Sequence, residues 1–194
     1  MPEGPECYMT ASKLNRWISG HRITKIGVTG GRYTKKTGAK DAKAFNELNK
    51  VLERTPLEVK DVRSKGKLIY IILGSDTVLM STLGLSGGWR KNRAKHCDLH
   101  ISTDYTTVWF NDQLHYGTLK VTDKKGLAKK LKQLGPDVTL GAAALDQNRW
   151  SDICKKNYRS SVASLLMTQS KLSGIGNYLK AEILYAAGIS PTST

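Results

Sequence analysis

Lys67-Leu68-Ile69-Tyr70-Ile71-Ile72-Leu73-Gly74-Ser75-Asp76-Thr77-Val78-Leu79-Met80-Ser81-Thr82-Leu83 is the stretch on which the fold turns. Leu68 to Leu73 is an unbroken apolar run rich in β-branched residues, the pattern of a strand buried on both faces. Gly74-Ser75-Asp76 closes it as a turn, and Thr77 to Leu83 follows as the hairpin partner. No apolar run in the chain is longer than these six residues, against roughly 20 needed to cross a bilayer in a helix. Working outward, Leu57 to Val62 reads as a strand. Arg22 to Thr29 alternates and ends at a Gly30-Gly31 turn or bulge. Cys97 to Thr103 and Thr106 to Phe110 form a second hairpin around Asp104, and Thr118 to Thr122 is a further strand. Arg22 to Thr122 is therefore an antiparallel two-layer β-sandwich, interrupted by a short helix over Phe45 to Leu52.

Helices flank this block. Pro5 suits a first helical turn, Cys7, Ala11, Leu14 and Ile18 form one apolar stripe, and Gly20 ends the segment. Beyond Asp123 the strand pattern stops. Gly126 to Leu134 reads as a basic helix and Gly135-Pro136-Asp137 as a turn that divides the chain into domains 1–134 and 135–194. Helices are expected over Asp146 to Tyr158, Ser160 to Gln169 and Tyr178 to Ala187. The last of these turns Leu179, Ile183, Leu184 and Ala187 inward and stops at Gly188. The fold class is α+β: an N-terminal helix with an antiparallel two-layer β-sandwich, then a small helical domain.

Lys and Arg number 31 against 16 Asp and Glu in 194 residues, a net charge of +15. Such an excess favours a polyanion, nucleic acid being the commonest inside cells, and predicts salt-dependent binding. The acidic, proline-broken Met1-Pro2-Glu3-Gly4-Pro5-Glu6 start lacks the basic and apolar regions of a secretory signal. Cys7, Cys97 and Cys154 are scattered, with no CxxC pair, which excludes a four-cysteine zinc finger and argues against a disulfide framework. An intracellular setting follows. His96, Cys97 and His100 do not form a metal site, because Cys97 faces away from both histidines on an alternating strand.

A few residues suggest chemistry. Removal of Met1 exposes the secondary amine of Pro2. An α-amine has a reference pKa of roughly 7.7–8.0, so part of it is neutral and nucleophilic at cell pH. Glu3 and Glu6 lie beside it. Two carboxylates in one pocket divide into an acid and a base, although acidic residues in a first turn also simply complement the helix dipole. Gly174-Ile175-Gly176-Asn177 opens a helix. Its glycines suit either a tight turn or backbone N–H groups of Gly174 and Gly176 presented to a phosphate, with the Asn177 amide alongside. Lys67 at a strand entry reads as a phosphate ligand or as an ordinary solubilising lysine.

Taken together, these segments resemble the Fpg/Nei family of DNA glycosylases (formamidopyrimidine-DNA glycosylase and endonuclease VIII). Pro2-Glu3-Gly4-Pro5-Glu6 is similar to the family's N-terminal signature, Lys65-Gly66-Lys67-Leu68 to its lysine-bearing strand, and Leu83-Gly84-Leu85-Ser86-Gly87 to its LGMSG loop. Lys95-His96 through Asn111-Asp112 and Tyr116-Gly117 resembles its next hairpin and wedge loop. Leu134-Gly135-Pro136-Asp137 resembles its inter-domain turn. Leu165 to Gln169 and Gly174 to Tyr178, then Ala181 to Leu184 and Ala187 to Pro191, resemble its helix–two-turn–helix motif.

The resemblance implies a base-excision-repair enzyme with DNA glycosylase and AP lyase activities, acting on damaged double-stranded DNA as a monomer. It implies Pro2 as the nucleophile at the anomeric carbon, Glu3 as the acid that opens the deoxyribose, and Glu6 as a group orienting the flipped nucleotide. Lys67 and Asn177, with Gly174 and Gly176, are expected at DNA phosphates. Leu85, Leu114 and Tyr116 are expected as wedges filling the space the flipped base leaves. Leu114 stands where many relatives carry an arginine that contacts the opposite base. No cofactor, zinc or membrane is expected; the location is intracellular at DNA, in a nucleus, nucleoid, viral factory or virion. Relatives continue with further helices and a zinc or zincless finger whose arginine clamps the lesion phosphate. This chain reaches Thr194 without them, so Lys91, Arg93 or a partner is expected to supply that charge. The alternative is a non-catalytic DNA-binding or packaging protein that keeps the glycosylase fold.

Overall fold

The computed structural model describes residues 1–193; Thr194, the last position of the expected helical domain, lies outside them. In chain order the elements are α1 (Gly4–Ile18), β1 (Arg22–Val28), α2 (Ala39–Arg54), β2 (Leu57–Lys65), β3 (Leu68–Leu73) and β4 (Thr77–Thr82). Then come β5 (Gly88–Arg90), β6 (Cys97–Thr103), β7 (Thr107–Asn111), β8 (Thr118–Asp123), α3 (Lys124–Lys132), α4 (Gln147–Lys156), α5 (Val162–Met167) and α6 (Asn177–Ala187). Short 3-10 turns occupy Gly31–Thr34, Lys36–Gly38 and Val138–Ala143.

All strands pair antiparallel in one order, β5-β7-β6-β1-β2-β3-β4-β8. The hairpin of the opening stretch sits deep in it, with Leu68 opposite Thr82 and Leu73 opposite Thr77. β1 and β2 pair only at Arg22–Glu58 and Ile23–Leu57, and the sheet doubles over at that corner. Trp89 on β5, at one end of the order, donates its indole N–H to Ser81 Oγ on β4, near the other end (3.1 Å). Two strands that distant in the order meet only if the halves face each other, which makes the two-layer sandwich. Leu99, Ile101, Val108 and Phe110 from one layer and Val59, Val62, Ile71, Leu79 and Leu119 from the other share one core. The apolar stripe of α1 (Cys7, Ala11, Leu14, Ile18) is buried in the same core, as is Phe45 of α2.

The structure corrects the sequence reading in three places. α2 begins at Ala39 rather than Phe45, because its first turns are polar and face solvent. β5 is an additional three-residue strand paired with β7. On α6 only Leu184 is buried and Leu179 half-buried; Ile183 and Ala187 are exposed. These two line an open apolar groove of about 530 Å³ together with Trp150, Val162 and Leu166.

The helical segments have their own small core of Leu166, Leu172, Ile175 and Leu184. What joins them to the sandwich is mostly polar. Asp137, buried in the Gly135-Pro136-Asp137 turn, accepts from Gly66 N–H (2.7 Å) and from both the N–H and hydroxyl of Thr139 (3.0 and 2.7 Å). Gly66 has φ +55°, and a Cβ there would meet Ser173 and the backbone of Gly174, so only glycine closes this turn. Gly4 N–H donates to Gly174 C=O (2.8 Å). The start of α1, the β2–β3 turn and the loop before α6 therefore meet at one place.

Candidate active site and nucleic-acid interface

Glu3 lies at that meeting point and is fully buried (0 % exposed). Its carboxylate accepts three backbone N–H bonds from the first turn of α6: Gly176 (2.5 Å) and Leu179 (3.2 Å) to Oε2, and Tyr178 (3.0 Å) to Oε1. A helix start leaves its first N–H groups without partners, and a carboxylate is the charge that suits them. A side chain at residue 176 would run into the Glu3 carboxylate and the Lys67 ammonium, so the second glycine of Gly174-Ile175-Gly176 is what admits both. Gln169 fixes the rest of that loop. Its Oε1 accepts Gly174 N–H (3.0 Å) and its amide donates to Ile175 C=O (2.8 Å).

The reading of Gly174 and Gly176 as phosphate-cradling N–H groups is corrected here. Those N–H groups already donate to Gln169 and Glu3. The exposed Asn177 side chain stands beyond them, near Lys180 Nζ (3.4 Å).

Glu6 is held differently. One oxygen accepts Glu3 N–H (2.8 Å), and both accept the Tyr178 hydroxyl (2.8 and 2.9 Å). Burial pushes the Glu6 carboxyl up, but the donated bonds from the Glu3 backbone and Tyr178 outweigh that and leave it below its ordinary value. The Tyr178 phenol is pushed up to about 12, by desolvation and then by the carboxylate it donates to. Tyr178 was not singled out in the sequence. The available signal was its place as the first residue after Gly174-Ile175-Gly176-Asn177, at the start of a helix.

Pro2 lines a cavity of about 320 Å³ with Met1, Cys7, Lys67, Lys130 and Gln169. The Cys7 thiol is pushed up to about 12 by burial and by the neighbouring Glu6 charge, which keeps it a protonated, inert wall. Among the described residues no carboxylate lines this cavity and two lysines do. Lys130, on α3, was also missed. Neither Lys91 nor Arg93 lines the cavity; Lys91 lies over Trp17 and Arg93 over Trp109.

Leu85, Leu114 and Tyr116 are exposed, at 44 %, 51 % and 61 %. Their loops are braced from below. Buried Asp112 accepts from Ser86 Oγ (2.6 Å) and Gly117 N–H (2.6 Å), and Ser86 Oγ accepts Leu114 N–H (3.0 Å). His115 between the two wedge candidates has φ +58°, a strained position for a side chain, and its Nδ1 bonds Asp98 Oδ2 (2.6 Å). Three large apolar side chains held outward by buried carboxylates are costly for a monomer in water, which points to a surface that meets a partner.

Comparison with known proteins identifies the family. Residues 1–119 match the family model of the formamidopyrimidine-DNA glycosylase N-terminal domain, and the chain belongs to that family. It is 26% identical over 202 residues to an endonuclease 8 of Pectobacterium atrosepticum, covering 100% of this chain and 71% of the relative. It is 27% identical over 201 residues to a formamidopyrimidine-DNA glycosylase of Brevibacillus brevis, covering 98% and 68%. The fold superposes with a TM-score of 0.82 on the Lactococcus lactis formamidopyrimidine-DNA glycosylase bound non-covalently to DNA containing an AP site. That match has 23% identity and covers 98% of this chain and 70% of that one.

Proposed function

We propose that this protein is a bifunctional DNA glycosylase and AP lyase that excises oxidised bases at intracellular DNA. The observation that carries the reading is the placement of a wholly buried carboxylate, Glu3, beside Pro2 and a lysine-lined cavity. Once Met1 is removed, the lone pair of the Pro2 nitrogen forms a bond to C1′ of the flipped nucleotide and the C1′–base bond breaks, the base leaving as an anion that water protonates. The Glu3 carboxylate takes the proton that the Pro2 nitrogen gives up and passes it to the ring oxygen as the deoxyribose opens to an iminium. That cation is the electron sink for loss of a C2′ proton and departure of the 3′ phosphate, then of the 5′ phosphate. Glu6, kept ionised and oriented by Tyr178, stabilises the cationic intermediate.

Lys67 and Asn177 face the phosphates flanking the lesion, with Lys130 adding charge to the cavity wall. Leu85, Leu114 and Tyr116 enter the stack in place of the flipped base. Leu114 offers no hydrogen bond to the opposite base, so selection against that base is weak. The domain boundary falls at Leu134–Gly135, and the two separate apolar cores support it.

Borohydride trapping on a duplex with an abasic site tests the reading. A covalent adduct is expected from protein whose intact mass shows Met1 removed. No adduct from such protein overturns it in favour of a non-catalytic DNA-binding role. Met1 retained on protein isolated from its source does the same, since Pro2 is then an amide nitrogen with no nucleophilic lone pair.

A further inference from the structure

Across β5, β7, β6 and β1, Arg90 stands opposite Trp109, Trp109 opposite His100, and His100 opposite Gly27. Residues directly opposed in a ladder point to the same face. Val108 and Phe110, which flank Trp109, are buried in the core, so this row lies on the outer surface of the sandwich. The His100 and Trp109 rings are 4.6 Å apart between centroids. Glycine at residue 27 makes room for the imidazole, since a Cβ there would overlap it. The Arg93 guanidinium lies over the Trp109 ring, 5.3 Å from its centroid.

Burial, with the charges of Lys25 and Arg93, pushes His100 below its ordinary value, so it stacks as a neutral ring. Its Nδ1 is buried without a hydrogen-bond partner among the described residues. Lys25, Arg90 and Arg93 are exposed, and none takes part in an ion pair among the described residues. A half-exposed indole carrying a guanidinium and flanked by unpaired cations is a stacking platform with phosphate ligands around it. Trp109 is also only five residues before Leu114, within roughly 17 Å along the chain.

We propose that the outer face of β7, β6 and β1 is a second nucleic-acid surface. It takes a single-stranded segment, with an unpaired base stacked on Trp109 and Arg93 and the flanking phosphates on Lys25 and Arg90. This surface is separate from the chemistry at Pro2 and stands or falls independently of it.

The test is fluorescence anisotropy with fluorescein-labelled dT12 at fixed low salt, on the wild type, Trp109→Ala, Trp109→Phe and Arg93→Ala. Trp109→Ala is expected to weaken dT12 about tenfold. Trp109→Phe keeps most of the affinity, and Arg93→Ala weakens dT12 about threefold, the loss of one exposed cation–π contact. Borohydride trapping on a duplex abasic site is unchanged in all of them. Arg93 is exposed, so its removal reads the surface even where Trp109→Ala fails to fold. Equal dT12 affinity in Arg93→Ala and the wild type overturns the proposal. So does an acidic peptide of matched charge that displaces dT12, because it shows a surface for protein.

Discussion

The sandwich and the helical segment after Leu134 hold themselves together by different means. The sandwich has a continuous apolar core fed by both layers, α1 and α2. The helical segment buries only Leu166, Leu172, Ile175 and Leu184 and leaves a wide apolar groove open. Its position depends on polar hooks to the sandwich: Glu3 on the start of α6 and Gly4 on Gly174 from the sandwich side, and Asp137 on Gly66 from its own. On the proposed function, Glu3 ties the chemistry to these hooks rather than to the apolar core.

The sharpest way to break this contrast is Glu3→Gln. The amide can no longer act as the acid, and its NH₂ confronts N–H donors of α6. Lyase activity on an abasic duplex is expected to fall by about 10³-fold, within the range for loss of a general acid. Amide exchange should accelerate at Gly176, Tyr178 and Leu179 but not in β3 or β4. Uniform acceleration would show that the two regions are one cooperative unit.

Phe45→Ala addresses the other side. Phe45 is fully buried in the sandwich core, so truncation should cost about 3–5 kcal/mol in urea unfolding. The per-molecule rate of abasic-site cleavage in the folded protein should stay near that of the wild type. Asp137→Ala removes the acceptor of Gly66 and Thr139 and should cost about 1–3 kcal/mol. Here the loss should appear first in α5 and α6 by exchange, which distinguishes a hook from a core residue.

Tyr178→Phe has the smallest effect. Without the phenol, Glu6 loses one of the donors that hold its carboxyl down, so its pKa moves upward and the acid limb of the pH–rate profile moves to higher pH. A depressed carboxyl stabilises the fold above its unfolded pKa, and that contribution is lost as pH falls through the folded one. The wild type should therefore exceed Tyr178→Phe by less than about 1 kcal/mol at neutral pH, the bond being partly open to solvent. The gap should close on acidification below the folded pKa of Glu6. A gap that persists there would assign Tyr178 to packing alone.

Where an element is long and has one buried face, its period showed it: α1 by Cys7, Ala11, Leu14 and Ile18, and the β3–β4 hairpin by its apolar run and glycine turn. β5 has three residues, too few to carry a period, and exists because β7 offers an edge. The inward face of α6 was misread because an apolar residue at the right spacing is buried only when something covers it, and Ile183 faces the open groove. The same limit applies at the site. Pro2, Glu3, Glu6 and Lys67 were legible as residue types near a chain start or strand entry. The bonds from Glu3 to residues 176, 178 and 179 span over 170 positions, and no local pattern encodes them. Lys130 was invisible for that reason, being one cation among many on a basic helix.

Gly176 turns this geometry into a rule of inheritance. In a saturation library scored for survival under oxidative stress, that column should be nearly blank, alanine included. Its neighbours at Asn177 and Lys180 should accept variety. A single missing methyl group, against the Glu3 carboxylate and the Lys67 ammonium, sets the spacing on which the rest of the machine is tuned.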